Sequence, residues 1–251
     1  MTERVRLQSE GDILLLCLQD EAEKNTFHHA FIAELQACLR AVAEDRRARV
    51  CVVRGLPEVF CAGAGEALLA ELARGDMAPS DIVLSRQILE LPIPVIAAME
   101  GHAVGGGLAL ALCCDLLLMA RESRYGCSFL NMGFTPGMGT TRLLGEVVGD
   151  ALAAEMMYGG QLFKGSHFEG RSSVNYVLPR AQVFAKAMEL ARRIAEKPRF
   201  TLELLKRDLS TRRRQLLDEA LKNEAVMHQL CFARPETAER IREGYPCAPG
   251  K

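Results

Sequence analysis

No apolar run in this chain reaches the roughly 18–20 residues that a bilayer-spanning helix needs. The first residues, MTERVRLQSEGD, also lack the apolar stretch of a signal peptide. Basic charge is not in excess either: 31 Lys and Arg stand against 32 Asp and Glu, a formal charge of −1. Nucleic acid as the main partner is thereby disfavoured, because that role leaves a strong basic surplus. The nine cysteines, at 17, 38, 51, 61, 113, 114, 127, 231 and 247, form no CxxC and no Cys/His ligand spacing. Most sit in apolar runs, so the expectation is buried, reduced thiols in a cytoplasmic protein, with no disulfide and no metal. Only 21 glycines and 10 prolines occur, which excludes a collagen-like chain, and a 49% hydrophobic content excludes disorder. What remains is 251 residues of ordinary globular composition, enough for one large core or two smaller ones.

Short apolar runs alternate with helical patterns in the first two-thirds. Strands are expected at Asp12–Leu18, Val50–Arg54, Val95–Met99 and Leu116–Met119, with helices at Phe31–Ala43, Asp81–Leu89 and Gly106–Cys113. This order argues for an α/β layout with mostly parallel strands. Gly126–Leu130 and Val174–Leu178 are candidates for further strands. From Ala181 onward the pattern is helical: Gln182–Glu196, Pro198–Leu209, Arg212–Phe232 and Pro235–Arg242, with Pro198 and Pro235 at helix starts. Two regions are therefore expected, an α/β body over 1–180 and a helical region over 181–251. Arg192, Arg193, Lys197, Arg199, Lys206, Arg207 and Arg212–Arg214 cluster in the second. A solvated helix face and a docking surface for an acidic or phosphorylated partner are the two readings of that cluster.

Two turns carry the chemistry. Phe60-Cys61-Ala62-Gly63-Ala64-Gly65-Glu66 follows the strand ending near Arg54, and Gly101-His102-Ala103-Val104-Gly105-Gly106-Gly107 follows Pro94–Met99. Each reads as strand, small-residue turn and helix start. Small residues let a ligand approach the main chain, and a helix start leaves N–H groups without partners. Two such turns side by side would aim two donors at one oxygen, an oxyanion hole in which each donor contributes about 3–4 kcal/mol once charge develops. The rivals fail on spacing. Gly63-Ala64-Gly65 has no third glycine at Leu68 for a dinucleotide fingerprint, and neither G-x-x-x-x-G-K-[S/T] nor G-x-S-x-G occurs. Tight packing turns without function remain the alternative for either segment taken alone.

With these turns, and with Cys114-Asp115-Leu116 and Gly133-Phe134-Thr135-Pro136-Gly137-Met138-Gly139, the chain resembles the crotonase (enoyl-CoA hydratase/isomerase) superfamily over nearly its whole length. The resemblance implies a crotonase-like α/β spiral of ββα repeats and a C-terminal helical region that packs protomers into homotrimers, sometimes paired into hexamers. It also implies a thioester carried on phosphopantetheine, of an acyl carrier protein or of CoA. The thioester carbonyl would be held by the N–H groups of Ala64 and Gly106, with Ala62, Gly63, Gly105, Phe129, Leu130 and Gly137 around the substrate. No metal or organic cofactor is implied.

Departures from the pattern narrow the chemistry. The positions of the two glutamates that hydratases use are Ala109, two residues after the glycine run, and Phe129, seven before Pro136-Gly137. Neither side chain can move a proton, so addition of water is disfavoured. The chain resembles more closely the decarboxylating crotonases of polyketide β-branching cassettes. Pro94–His102, Gly133–Gly139, Val177-Leu178-Pro179-Arg180-Ala181 and Glu224-Ala225-Val226-Met227-His228 carry that likeness. It implies decarboxylation of a 3-methylglutaconyl thioester on a carrier protein to the 3-methylcrotonyl thioester.

His228 is the candidate for the polar group. It lies on a helical stripe with Leu217, Leu221, Glu224 and Cys231, placed to hold the carboxylate or return a proton; the bland reading is a packed histidine bonded to Glu224. A lysine that the resemblance calls for between the two turns falls on Ala78, which can neither pair with a carboxylate nor donate a proton. Arg74 or Arg86 serving instead, a weakened or inactive member, and a Lys→Ala exchange that traps substrate are the three accounts. His28 and His29 are expected at a helix start in capping or surface roles, His102 inside the second turn, and His167 in a loop. Met132 and Met138 are expected as adaptable packing. Two functional rivals stay open: double-bond isomerisation through His228, and a catalytically silent thioester-binding subunit.

Overall fold

The computed structural model describes residues 3–78 and 81–243. Its strands sort into a large and a small sheet. The large one runs β1 (Val5–Glu10), β2 (Ile13–Leu18), β4 (Val50–Arg54), β7 (Val95–Met99), β9 (Leu116–Ala120) and β12 (Tyr176–Leu178). Only β1 and β2 pair antiparallel; every other neighbour in it is parallel. The small sheet runs β11 (Leu162–Lys164), β10 (Arg124–Gly126), β8 (His102–Val104) and β5 (Val59–Cys61). A two-residue pair joins β3 (Thr26–Phe27) to β6 (Gly63–Ala64).

The chain climbs as a spiral because each turn lays one strand in each sheet before its helix. β4 and β5 lead to α2 (Glu66–Arg74), β7 and β8 to α4 (Gly106–Leu112), and β9 and β10 to α5 (Thr140–Val148). Central parallel strands must be apolar on both faces, and the sequences VCVVR, VIAAM and LLLMA comply. Alternation splits them between two cores. Cys51, Val53, Ala97, Met99 and Leu117 join the interior of the spiral. Val50, Val52, Ile96, Ala98, Leu118 and Ala120 face the other way and are covered by Val183, Ala187, Met188 and Ala191 of α7 (Arg180–Ala195). The buried Tyr125 hydroxyl ties the sheets together, donating to Met99 O and accepting from Ala120 N, both at 2.8 Å.

Three further helices follow: α8 (Arg199–Leu209), α9 (Thr211–Phe232) and α10 (Pro235–Arg242). Much of the basic cluster is paired within the chain, which leaves less of it free for an acidic partner. Buried Lys206 pairs with Asp115 at 2.6 Å, and Arg213 donates to the carbonyls of Leu112 and Cys114. Arg192, Arg199 and Arg212 pair with Glu10, Glu203 and Glu146. Of the two further strand candidates, Val174–Leu178 contains β12, whereas Gly126–Leu130 is not a strand: β10 ends at Gly126, and Phe129–Met132 forms a 3-10 turn. The eight described cysteines are free, and Cys247 lies outside the described residues. Among the described residues no helix is long and apolar enough to cross a membrane.

Candidate active site

Buried Asn25 sets the first turn in place. It lies in the left-handed region at φ 55°, its side-chain amide donates to Leu18 O and Phe60 O, and its oxygen accepts from Asp20 N. The β3 pair then fixes Gly63-Ala64 beside Thr26-Phe27. The second turn is fixed by steric exclusion. A Cβ on Gly107 would stand 2.1 Å from Cys61 O, and one on Gly63 would stand 2.7 Å from Val104 O and 3.1 Å from the Gly106 amide nitrogen. Only glycine allows that approach, so the two turns lie against each other. Gly105 adds a backbone (φ 53°, ψ −119°) that an L side chain rarely adopts. Gly106 is the first residue of α4, where the helix's own ladder offers its N–H no acceptor.

These turns open onto an apolar cavity of about 60 Å³. Ala64, Gly105 and Gly106 form one wall; Phe27, Leu69, Leu72 and Ile82 another; Phe129, Met132, Phe134, Gly137, Met138, His228 and Phe232 complete it. His228 is the one ionisable side chain among them. The Phe129 ring stands over the second turn, 3.7 Å from where a Cβ on Gly105 would be, and Ala109 is buried inside α4. No carboxylate reaches the cavity from either position.

The buried His228 comes from α9. Its Nε2 lies 2.9 Å from Thr135 O. A carbonyl only accepts, so Nε2 carries a proton and donates, which leaves Nδ1 as the ring nitrogen available to hold or give up a proton. Nδ1 is buried without a partner. The ring packs so closely on Gly137 that a Cβ there would meet Cε1 at 2.8 Å, and Phe134 and Phe232 flank it. Glu224 does not bond His228. Its carboxylate instead accepts from Gly139 N at 2.8 Å, Thr141 N at 3.0 Å and Thr141 Oγ1 at 2.7 Å, holding the loop that carries Gly137 and Met138. The helical stripe was correctly oriented, but the two side chains serve different partners.

Other expected residues lie elsewhere. Gly63 packs behind the wall as described, and Ala62, next to it in the chain, does not line the cavity. Leu130 is half-buried and outside the cavity, since the 3-10 turn presents Phe129 and Met132 inward instead. Ala78 is exposed on a neighbouring groove that shares Leu72 and Phe232 with the cavity. Arg74 is exposed and paired with Asp76, and Arg86 pairs with Asp218 and Glu90. His28 caps α1 (His29–Glu44), accepting from Phe31 N, while His29 bonds Glu71. His102 accepts from Arg124 N, away from the cavity; burial first, then Arg180, pushes its pKa down. His167 sits in a 3-10 turn beside Arg171. Burial drives the thiol of Cys61 up to about 12, and it donates to Asn25 O, so the cysteine of the first turn is no nucleophile. Phe27, Ile82, Leu69, Leu72 and Phe232 had not been singled out; Phe232 alone had a local signal, one helical turn after His228.

This spiral, with paired glycine turns around a cavity, is that of the enoyl-CoA hydratase/isomerase family. The chain belongs to it: the family profile, described as enoyl-CoA hydratase/isomerase, matches residues 8–245. Within the family it is 33% identical over 239 residues to the bacillaene synthase decarboxylase PksI of Bacillus subtilis (strain 168), covering 95% of this chain and 96% of that protein. It is 30% identical to the 2,3-dehydroadipyl-CoA hydratase of Escherichia coli (strain K12), over 91% of this chain and 90% of that one. Among solved structures it superposes with a TM-score of 0.93, at 34% identity and 97% and 99% coverage, on a chain from a dehydratase/decarboxylase enzyme couple of polyketide β-branching. The ECH2 decarboxylase domain of CurF from Lyngbya majuscula superposes at 0.89, with 34% identity and 97% and 100% coverage.

Proposed function

We propose that the chain decarboxylates 3-methylglutaconyl thioester, carried by an acyl carrier protein, to the 3-methylcrotonyl thioester. The single observation behind this reading is the cavity itself. It has main-chain turns at one wall, one histidine with a bare buried nitrogen, and hydrocarbon where water-activating carboxylates would stand. The thioester oxygen sits at the N–H groups of Ala64 and Gly106. As the C–C bond to the carboxylate breaks, its electron pair passes through the double bond onto that oxygen, giving a dienolate and CO2. Two donors aimed at the developing charge stabilise this step without acid or base.

His228 in its protonated form presents Nδ1–H to the carboxylate while Nε2–H stays on Thr135 O. After CO2 leaves, Nδ1–H passes to carbon, the dienolate collapses to the conjugated thioester, and solvent returns a proton to the ring. The decarboxylase names of PksI and of the CurF domain support this chemistry over hydration. Copies of the chain would assemble as a trimer or hexamer through the helical region, 181–251, where Phe200 and Leu209 of α8 are 69% and 67% exposed.

The test is mass spectrometry of the carrier-bound substrate after incubation with the protein. Loss of one CO2 is the expected outcome. Unchanged mass with a shifted double bond would establish isomerisation, and retained binding without change would establish the silent thioester-binding subunit.

A further inference from the structure

A second cavity, of about 310 Å³, adjoins the first and shares Ile82, Met138 and His228 with it. It opens between α3 (Leu84–Leu89) and α9. Its character differs from that of the first, for Arg86, Lys222, Asp218 and Glu224 line it. Glu224 is saturated by the three donors of the Gly139–Thr141 loop, and Asp218 is held by Arg86. Lys222 is exposed and has no ion pair among the described residues. Arg86 is shared between Asp218 and Glu90, so both of its carboxylate partners are exchangeable surface groups, and it lies on the cavity bordered by the histidine that divides the two.

Given the decarboxylation reading above, we propose that the substrate's free carboxylate is recognised from this second cavity by Arg86, with Lys222 assisting. Among the described residues lining the first cavity there is no Lys or Arg, so His228 alone would have to offset a carboxylate carried into hydrocarbon, which is costly without further pairing. Arg74 lines the groove of Ala78, which His228 does not border, and it is tied to Asp76. Arg86 is the guanidinium on the cavity that His228 borders, and its present partners, Asp218 and Glu90, are carboxylates of the kind that a substrate carboxylate would replace or join. The absence of a lysine at 78 is on this account made good from α3, a different element lining a different cavity.

The test measures binding and needs no turnover, so it stands apart from the fate of the decarboxylation reading. Dissociation constants are taken for 3-methylglutaryl and isovaleryl thioesters, which lack the double bond and differ by the distal carboxylate. The unaltered chain should prefer the dicarboxylic ligand. Arg86→Leu should lower that preference about fivefold, the scale of one half-exposed charge pair, and leave isovaleryl binding unchanged. Arg86→Lys should keep part of it, and Lys222→Ala should cost less than Arg86→Leu. Asp218→Asn leaves Arg86 with Glu90 as its remaining carboxylate and should raise the preference, a result available even where Arg86→Leu fails to fold. A preference unmoved by Arg86→Leu, or lowered by Asp218→Asn, overturns the proposal.

Discussion

The ββα turns give the cavity main chain and hydrocarbon, whereas α9 gives the one ionisable group among the described residues that line it. The spiral's contribution is rigid for steric reasons: Gly63 and Gly107 leave no room for a Cβ, and buried Asn25 stitches the first turn to β2 and β5. The helix's contribution hangs on two side-chain contacts to one loop, His228 to Thr135 O and Glu224 to Gly139 and Thr141. A donor meant for developing charge has to be preorganised, and backbone packed against backbone supplies that. A proton carrier has to exchange with its surroundings, and a side chain bordering two cavities supplies that instead.

The largest effect should come from removing a donor while keeping the helix. Gly106 is at N1 of α4, the helical position that tolerates proline. Gly106→Pro should lower kcat by about 10²–10³-fold, the loss expected for one oxyanion donor. Gly106→Ala is the control, since it keeps the N–H and adds a Cβ that meets only side-chain ends, Phe27 Cε2 at 2.8 Å and Met138 Sδ at 3.2 Å. Equal losses in the two variants would mean that bulk, and not the missing N–H, is responsible, and the division of labour between spiral and helix would fail.

The helix is challenged next. His228→Gln retains an amide N–H that can donate to Thr135 O but cannot carry a proton as imidazolium does. Turnover should fall about 10²-fold, while the thermal midpoint changes less than in His228→Ala, which also empties space between Phe134 and Phe232. Turnover in His228→Gln near that of the unaltered chain would reduce His228 to a packing role.

How far these features were legible in the sequence follows from their range. β4, β7 and β9 announce themselves as unbroken apolar runs because both of their faces are buried, and the two turns do so by small residues at strand ends. β5, β8 and β10 have three residues each and carry no period to read. The stripe Leu217–Glu224–His228 was readable as a face, yet Glu224 turned out to serve Gly139 and Thr141, 85 and 83 residues away, and such partners leave no local trace. Ile82 and Phe27 joined the cavity for the same reason. Leu130 was misplaced because a 3-10 turn, in place of a strand, decides which of its neighbours faces inward.

The smallest effect concerns Ala78, where the sequence resemblance calls for a lysine. Ala78 is exposed and its N–H bonds the Asp81 carboxylate, an interaction that a change of side chain leaves intact. Ala78→Lys should therefore alter stability by no more than about 0.5 kcal/mol. The groove it lines meets the cavity at Leu72 and Phe232, so a flexible four-carbon stem could bring its ammonium toward the acyl group from a groove that Arg86 does not line. A rise of a few-fold in CO2 release is expected, since a second cation adds to one already supplied. If Arg86→Leu lowers release and Ala78→Lys restores it in the double variant, the two cations are alternative solutions to one electrostatic demand. If Ala78→Lys changes neither background, lysine has no part in this chain's chemistry, and the demand is met wholly from α3 and α9.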